Sequence, residues 1–367
     1  MQNKRIVGTK SIKNKSSSQN YKNSNNLWYE AAEKNKVTKK NYSQMMHKIK
    51  LYTALFTGIG IVIYFVIAFL AGIIKVAGII ASSKLYIYIF AFAAVFTGYS
   101  LRYIKWSYSL KKLNIKIPFK TNFKVYLSLY SMDLTPCRIG RVIMAYTLNK
   151  ITKVRIAKLL PVIMMDMFTD FLGVAILAIF SAIYFDKYIV YIIIAEIIIL
   201  APFAFVLNSW LYRLLKNTLK KNRFLRVFSI YGDEYFLSQT KLNNLKVYLV
   251  SASVSAAAIF MNAMALYVVL LSIGFATPVQ GDVFIYSTSQ IFGMVSAVPG
   301  NLGIMDGLLV AMTSSVYHLS FAVGSAVTIM TRMATLWFGI FVGIIFFLIS
   351  LKYWKTEKDI RGDNRKK

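Results

Sequence analysis

The sequence predicts an all-α integral membrane protein with about six full transmembrane helices and two broken re-entrant hairpins, arranged as two inverted repeats. Three observations carry that expectation. The chain is 57% hydrophobic with a mean hydropathy of +0.54, and several apolar stretches reach the roughly 20 residues that cross a bilayer. Its basic residues gather between those stretches. Two apolar segments are also interrupted in nearly the same way, at 131–141 (SMDLTPCRIGR) and 294–307 (MVSAVPGNLGIMDG). Each holds Pro-x-x-aliphatic-Gly, as Pro136 to Gly140 and Pro299 to Gly303.

Residues 1–50 read as a basic, disordered cytoplasmic tail: polar, rich in Lys, Asn and Ser, and without periodic apolar positions. That composition does not match the charged-then-apolar pattern of a signal peptide. A polytopic membrane domain, 51–351, follows. Span 1 is expected over 53–74 and span 2 over 85–101, joined by a link whose charges are Lys75 and Lys84. The connection 102–124 holds seven basic residues and no acidic one, so it is placed inside. The first broken segment, 125–148, is followed by Lys150, Lys153, Arg155 and Lys158. The chain thus returns to the side it left, which a re-entrant hairpin satisfies. Span 3 follows at 159–184 and span 4 at 188–207, around a turn carrying Asp186 and Lys187. Residues 209–246 form a basic inside connection, with an amphipathic interfacial helix near 210–228. Span 5 covers 247–273. Residues 274–321 contain no Lys or Arg, border the outside and include the second broken hairpin, 283–319. Span 6, 322–350, leads to a basic cytoplasmic tail, 352–367. Six spans put both termini inside, as expected of a multi-pass protein of the plasma membrane.

The halves align. The prolines lie 163 residues apart, and the same offset carries the start of span 2 to 248 and that of span 3 to 322. Repeat one is then about 53–184 and repeat two about 188–350. Three crossings per half insert the second half upside down, the inverted-repeat plan of many transporters.

The net charge of +30 raises nucleic acid as a partner, but 38 of the 44 basic residues lie in the inside segments and tails. Positive-inside orientation and attraction to anionic lipid account for them. The single cysteine, Cys137, and two histidines, His47 and His318, argue against an internal disulfide and against a Cys- or His-built metal site. No catalytic residue, metal or cofactor is expected.

In hydrocarbon every backbone N–H and C=O needs a partner, so broken backbone survives only within protein or beside a watery cavity. Two breaks entering from opposite faces can meet near the midplane and expose helix ends, which favour anions. Pro136 and Pro299 stop a helix; Gly140, Gly300 and Gly303 permit tight turns and the close approach of a ligand. The ionisable residues at membrane depth are Asp133, Arg138, Arg141, Asp166, Asp170, Asp306 and Arg332, and charges there usually line a bundle interior or a pathway. Asp166 and Asp170, four apart, share a face of span 3. Arg332 occupies the corresponding span of the other half, either as a clamp on carboxylates or as a fork for phosphate. Glu196 in span 4 marks either a proton path or a helix contact. Trp106 and Trp337 read as interfacial or packing aromatics, and Met164 and Met165 as core.

At these residues the sequence resembles the flippase-like membrane domain of the lysylphosphatidylglycerol synthase family, the multiple peptide resistance factor group and its free-standing relatives. The resemblance runs over about 100–350. It is carried by SLRYIKW (100–106), LNIKIP (113–118), TPCRIG (135–140), DMFTD (166–170), VPGNLGIMDG (298–307) and RMATLW (332–337). Pro136, Arg138, Gly140, Asp170, Pro299, Gly300, Gly303, Arg332 and Trp337 fit the family pattern, and Asp166 and Asp306 keep an acid while shortening it. Cys137 replaces a loop glycine, Arg141 a glutamate, Met167 the arginine of the acidic motif and Asn301 a glycine. Asn tolerates left-handed backbone better than most residues, and the changes at 141 and 167 alter local charge, which implies either a different ligand preference or compensation of the missing arginine by Arg141.

The resemblance implies movement of a lipid between leaflets. In two-domain relatives an aminoacyl-transferase domain follows the membrane part; here 17 residues follow span 6, so aminoacylation is not expected. The substrate-binding set is Pro136, Arg138, Gly140, Asp166, Asp170, Pro299, Gly300, Asn301, Gly303, Asp306 and Arg332, for a phosphate-bearing headgroup. The expected partners are membrane lipids with anionic headgroups, with a lipid-modifying enzyme and a homodimer left open. A membrane-embedded transferase acting on lipid phosphates and a non-catalytic partner of a lipid-modifying enzyme stand as the alternatives.

Overall fold

A computed structural model describes residues 58–135, 141, 143–183, 226–296 and 298–350, with Leu55, Val190, Ile194, Ile197 and Ile198 as isolated positions. Contacts divide the chain into Met1–Leu55 and Phe56–Lys367, and every element below belongs to the second unit. The two tails, most of span 4 with Glu196, and most of the 210–228 helix lie outside the described residues. So do Pro136, Cys137, Arg138 and Gly140.

The described elements are all helical. Four are long and apolar enough to cross a membrane, and a fifth counts if a sharply bent pair is one span. That pair is α1, Gly58–Ala71, and α2, Ile73–Ala81, which meet at 102°. Gly72 sits between them at φ 86°, a left-handed conformation that glycine adopts without a Cβ penalty. Within the span expected over 53–74 the helix therefore ends at Ala71 and the chain turns.

α3 runs Leu85–Lys112, eleven residues past the expected end of span 2 at 101. The extension is not a loop: Arg102 and Lys105 are 5% and 2% exposed. The basic connection expected over 102–124 thus loses two of its seven basic residues to the protein interior. The connection from α3 turns at Asn114 (φ 57°) and reaches α4, Phe119–Leu127, through Pro118.

The first broken segment consists of α4, a 3-10 turn at Ser128–Met132, and α5, Ile143–Thr152. Ser128 Oγ donates to Val125 O (2.7 Å) and Ser131 Oγ to Ser128 O (2.6 Å), so hydroxyls serve carbonyls at the point where the helix tightens. α6, Ile156–Ala182, is the long helix that follows. α7, Arg226–Leu242, leads into α8, Leu245–Ser272. The second broken segment is α9, Val279–Val295, a 3-10 turn at Pro299–Asn301, and α10, Ile304–Val316. Gly300, Asn301 and Gly303 all take positive φ (62°, 58° and 83°), and the asparagine at 301 bears the left-handed conformation expected of it. The chain ends its described part in α11, Phe321–Ser350, which carries a π-helical turn at Met333–Trp337.

α8 is the central helix, packing on α3, α6, α9 and α11. Its run of Ser and Ala lets neighbouring backbones come close, the usual route to helix association in lipid. A Cβ at Gly98 of α3 would lie 2.8 Å from Ala258 O, and one at Gly173 of α6 2.7 Å from the Ser255–Ala256 backbone. Lys84 N donates to Ser272 O (2.8 Å), so α3 and α8 are antiparallel and Lys112 lies at the Leu245 end. The last long helix of each half packs on the other half's break: α6 against α9, and α11 against the Ser128–Met132 turn. Gly343 is what admits the Ser131 backbone there.

Gly173→Val is expected to force α6 off α8 and cost about 1–3 kcal/mol, read as a lower thermal-unfolding midpoint in detergent. Gly307→Val, where a Cβ meets nothing within 4 Å, serves as the control and should leave the midpoint nearly unchanged.

Candidate functional site

Two groups of buried charge lie inside the bundle. The first is centred on Lys105, whose stem comes from α3. Its Nζ lies 2.7 Å from Asp170 Oδ1, 2.7 Å from Ser255 Oγ, 2.8 Å from Asp166 O, 3.0 Å from Thr169 Oγ1 and 3.3 Å from Asp166 Oδ1. Ser255 in turn donates to Asp170 Oδ1 at 3.1 Å. Arg102 Nε reaches the same carboxylate oxygen at 3.3 Å. Arg141, beside the first break, donates from Nη2 (2.8 Å) and Nε (3.1 Å) to Asp133 Oδ1. Its Nη1 approaches Asp166 Oδ2 at 3.5 Å, and its guanidinium lies over the Tyr130 ring, 5.6 Å from the centroid.

The reason these groups sit together is helical spacing. Arg102 and Lys105 are three apart on α3, and Asp166, Thr169 and Asp170 occupy one face of α6. Among the described residues the group balances three cations with three carboxylates. Burial of any one charge alone would be prohibitive, while a fully paired set is tolerated.

The second group belongs to the second break. Arg332 Nε and Asp306 Oδ1 form an ion pair at 2.7 Å, though not as an aligned hydrogen bond. Arg332 Nη2 donates to Gly300 O at 2.5 Å. Asp306 Oδ2 accepts from Gly303 N at 2.7 Å, so one carboxylate caps the start of α10 and neutralises Arg332. Arg332 is 4% exposed and Asp306 0%. Of the two roles open to Arg332, clamp on carboxylates or fork for phosphate, the geometry contains a pairing with the carboxylate of Asp306. Asp166 and Asp170 are held by Lys105, Arg102 and Arg141.

The two breaks meet. A Cβ on Gly300 would lie 2.9 Å from Leu134 Cδ2 of the first segment and 3.4 Å from Leu336 Cδ2. Leu134, Leu302, Leu336 and Ile340 form a small apolar cluster here, with Ile63, Tyr64 and Trp337 packed against it. Among the candidate residues the structure describes, Asp166 and Asp170 fall in the first group. Gly300, Gly303, Asp306 and Arg332 form the second, with Pro299 and Asn301 in its turn. Among the described residues no three His, Cys, Asp or Glu side chains converge to hold a metal ion.

A family model for the lysylphosphatidylglycerol synthase transmembrane region matches residues 56–343. The chain belongs to this family. A search of curated proteins finds no match. Membership ties the chain to membrane-lipid function, and it places the departures from the family pattern in a physical setting. Met167 is 8% exposed within the apolar core, so it supplies no charge to the acidic motif on α6. Arg141 does reach Asp166, at 3.5 Å.

In the sequence Lys105 and Arg102 read as loop charges, and only the structure brings them to the carboxylates. The available signal was their i, i+3 spacing inside SLRYIKW, next to Trp106, which is 1% exposed and donates from Nε1 to Asn122 Oδ1 at 3.0 Å. Ser255 gave no signal beyond its place in a run of small residues.

Lys105→Met is expected to destabilise by about 3–5 kcal/mol, because it leaves buried carboxylates uncompensated. Adding Asp170→Leu should recover a large part of that loss. Thermal unfolding of the two single variants and the double variant measures the coupling, and additive effects would mean that the pair is not energetically joined.

Proposed function

We propose that the protein is a lipid translocase that moves a phosphate-bearing lipid between leaflets, with the headgroup handled where the two breaks meet. The single observation that carries this reading is the approach of Leu134 to Gly300 with buried charge on either side. Interrupted helices at membrane depth are tolerated only where they are enclosed by protein or line a polar cavity. Here the interrupted ends bring a start of helix (α10), an arginine fork and a carboxylate into one place. The likeness of the two halves, each with a broken hairpin followed by a long helix, supports the inverted-repeat arrangement. So does the packing of each half's last helix on the other half's break, a geometry suited to rocking one half against the other about a shared site.

The chemistry follows from who holds the cations. Every buried arginine and lysine described is matched by a carboxylate, so a phosphate enters by exchange. At Arg332 the incoming oxygens compete with Asp306 for the guanidinium and meet its Nη1 edge, while Asp306 remains the cap on Gly303 N–H. The Arg332–Asp306 pair is neutral, so the phosphate brings a negative charge that a proton or a counter-ion must accompany into a low-dielectric site. Arg138, Pro136 and Gly140 belong to the proposed site by their place in the first break. The basic ends, including Lys112, face the cytoplasm with both termini, and the 274–321 side faces outward across the plasma membrane. Anionic lipids are the partners of the basic ends.

The test is leaflet exchange in proteoliposomes, using fluorescent phospholipids or a polyprenyl-phosphate lipid with an impermeant quencher. Protein-dependent exchange of one class, abolished in Arg332→Ala and in Asp170→Asn with insertion intact, is the expected result. Unchanged exchange in both variants would remove the site. No exchange of any class would favour the transferase or partner alternatives, to be separated by lipid mass spectrometry and by co-purification of a soluble enzyme.

Orientation has its own check. In a Cys137→Ser background, cysteine at Lys112 is expected to label only from the cytoplasm and cysteine at Gln280 only from outside. Both positions are exposed, and outside labelling at 112 would overturn the proposed topology.

A further inference from the structure

Three side chains at the junction of the breaks carry donors that the protein itself does not use well. The Tyr64 hydroxyl, from α1, lies beside the Arg332 guanidinium and the Trp337 indole. The Tyr64 and Trp337 rings meet edge to face, with centroids 6.2 Å apart at 71°. Tyr64 Oη and Trp337 Nε1 are both fully shielded, and neither makes a hydrogen bond of good geometry among the described residues. Arg332 Nη1 faces Met305 Sδ at 3.4 Å, and a thioether is a weak acceptor. Asp306 and Gly300 O take Nε and Nη2 of the same guanidinium, which leaves the Nη1 edge toward this cluster.

The backbone is shaped to put these donors there. The π-helical turn Met333–Trp337 follows Arg332 directly, and such turns re-aim the side chains that follow them. Gly60 of α1 faces the indole, and a Cβ there would lie 2.8 Å from Trp337 Cζ2. Glycine at 60 is therefore what lets α1 close over the ring. An indole N–H and a guanidinium can only donate. The acceptor that both face is the Tyr64 phenol oxygen, in poor geometry, so an oxyanion would bring the cluster better-placed lone pairs and negative charge.

Resting on the translocase reading above, we propose that Tyr64, Trp337 and Arg332 form one pocket for the non-ester oxygens of a phosphate headgroup. Arg332 supplies charge, and the phenol and indole supply directed hydrogen bonds. The pocket selects phosphate over an uncharged polar head, because a neutral hydroxyl brings donors of its own to a site already rich in them.

The test uses the full chain in a neutral maltoside detergent and three probes: dihexanoyl phosphatidylglycerol, dihexanoylglycerol and inorganic phosphate. Affinity would be measured by calorimetry for the native protein and for Tyr64→Phe, Trp337→Phe and Arg332→Gln. A further protein carries the benzothiophene analogue of tryptophan at 337, which removes the N–H and keeps the ring shape. The expected result is preferential binding of the phospholipid, weakened about tenfold by each loss of a donor to a charged acceptor. Binding of dihexanoylglycerol should be unmoved, and thermal midpoints should be retained in Tyr64→Phe and in the benzothiophene protein.

Unchanged phospholipid affinity in the Tyr64 and Trp337 variants, with loss in Arg332→Gln, would overturn the pocket and leave the translocase reading intact. It would assign the space between the donors to a buried water. Equal binding of phospholipid and dihexanoylglycerol by the native protein would instead remove phosphate recognition altogether. Inorganic phosphate that binds as tightly as the phospholipid, with the same sensitivity to the variants, would assign the pocket to the free ion and overturn its role in holding a lipid.

Discussion

An ammonium ion buried in a bilayer protein must find all its ligands inside the protein, and much of this structure follows from how Lys105 finds them. Its Nζ draws on Asp166, Thr169 and Asp170 from α6 and on Ser255 from α8. Three long helices are thereby fixed in rotation and height. The close approach of α6 to α8 at Gly173 and of α3 to α8 at Gly98 is the steric side of the same requirement. A side chain at either glycine would hold the helices too far apart for the lysine to reach both carboxylates and the serine. A lysine stem that reaches 2% exposure would be severely destabilising without that set of oxygens.

Asp306 has the corresponding position in the second half, with a different logic. One oxygen caps Gly303 N–H and the other pairs with Arg332, so local backbone geometry and long-range charge pairing are set by one side chain. Three positive-φ residues between 300 and 303 turn the chain sharply enough for that carboxylate to face back toward the turn. The backbone carbonyl of Gly300 then accepts from Arg332, which ties α11 to the break. A ligand that competes for Arg332 therefore acts on the end of α10 and on the π-helical turn of α11 together. A local exchange of oxygens is in this way connected to the position of a whole helix.

Much of the fold was legible in the sequence because the bilayer imposes simple rules. Apolar length located α6, α8 and α11 to within a few residues, and proline with glycine located both breaks. The positive-inside pattern agrees with the common end shared by Lys112 and Leu245. The same rules misread two places. Gly72 sits in an apolar run whose composition remains favourable for a straight span, and only the left-handed backbone at that position ends the helix. Arg102 and Lys105 look like the start of a basic loop. Nothing local distinguishes a charge that leaves the membrane from one that is met inside it by carboxylates about 60 residues later.

The site divides along the same line. Sequence by itself determined that the chain is a helical membrane protein of the lysylphosphatidylglycerol synthase transmembrane-region family, that two glycine- and proline-bearing breaks interrupt its apolar segments, and that Asp166, Asp170, Asp306 and Arg332 lie within or beside those segments. These are properties of composition and short spacing, which hydrocarbon reads directly. Tertiary structure decided the pairing: Asp170 with Lys105 and Arg102, Asp133 with Arg141, Asp306 with Arg332, and Leu134 against Gly300. It also decided that Tyr64, far away in sequence and without a motif, lies beside Arg332. The physical reason is that charge pairing in a low dielectric is strong only at contact distance, and contact between distant helices is set by which small residues let them approach.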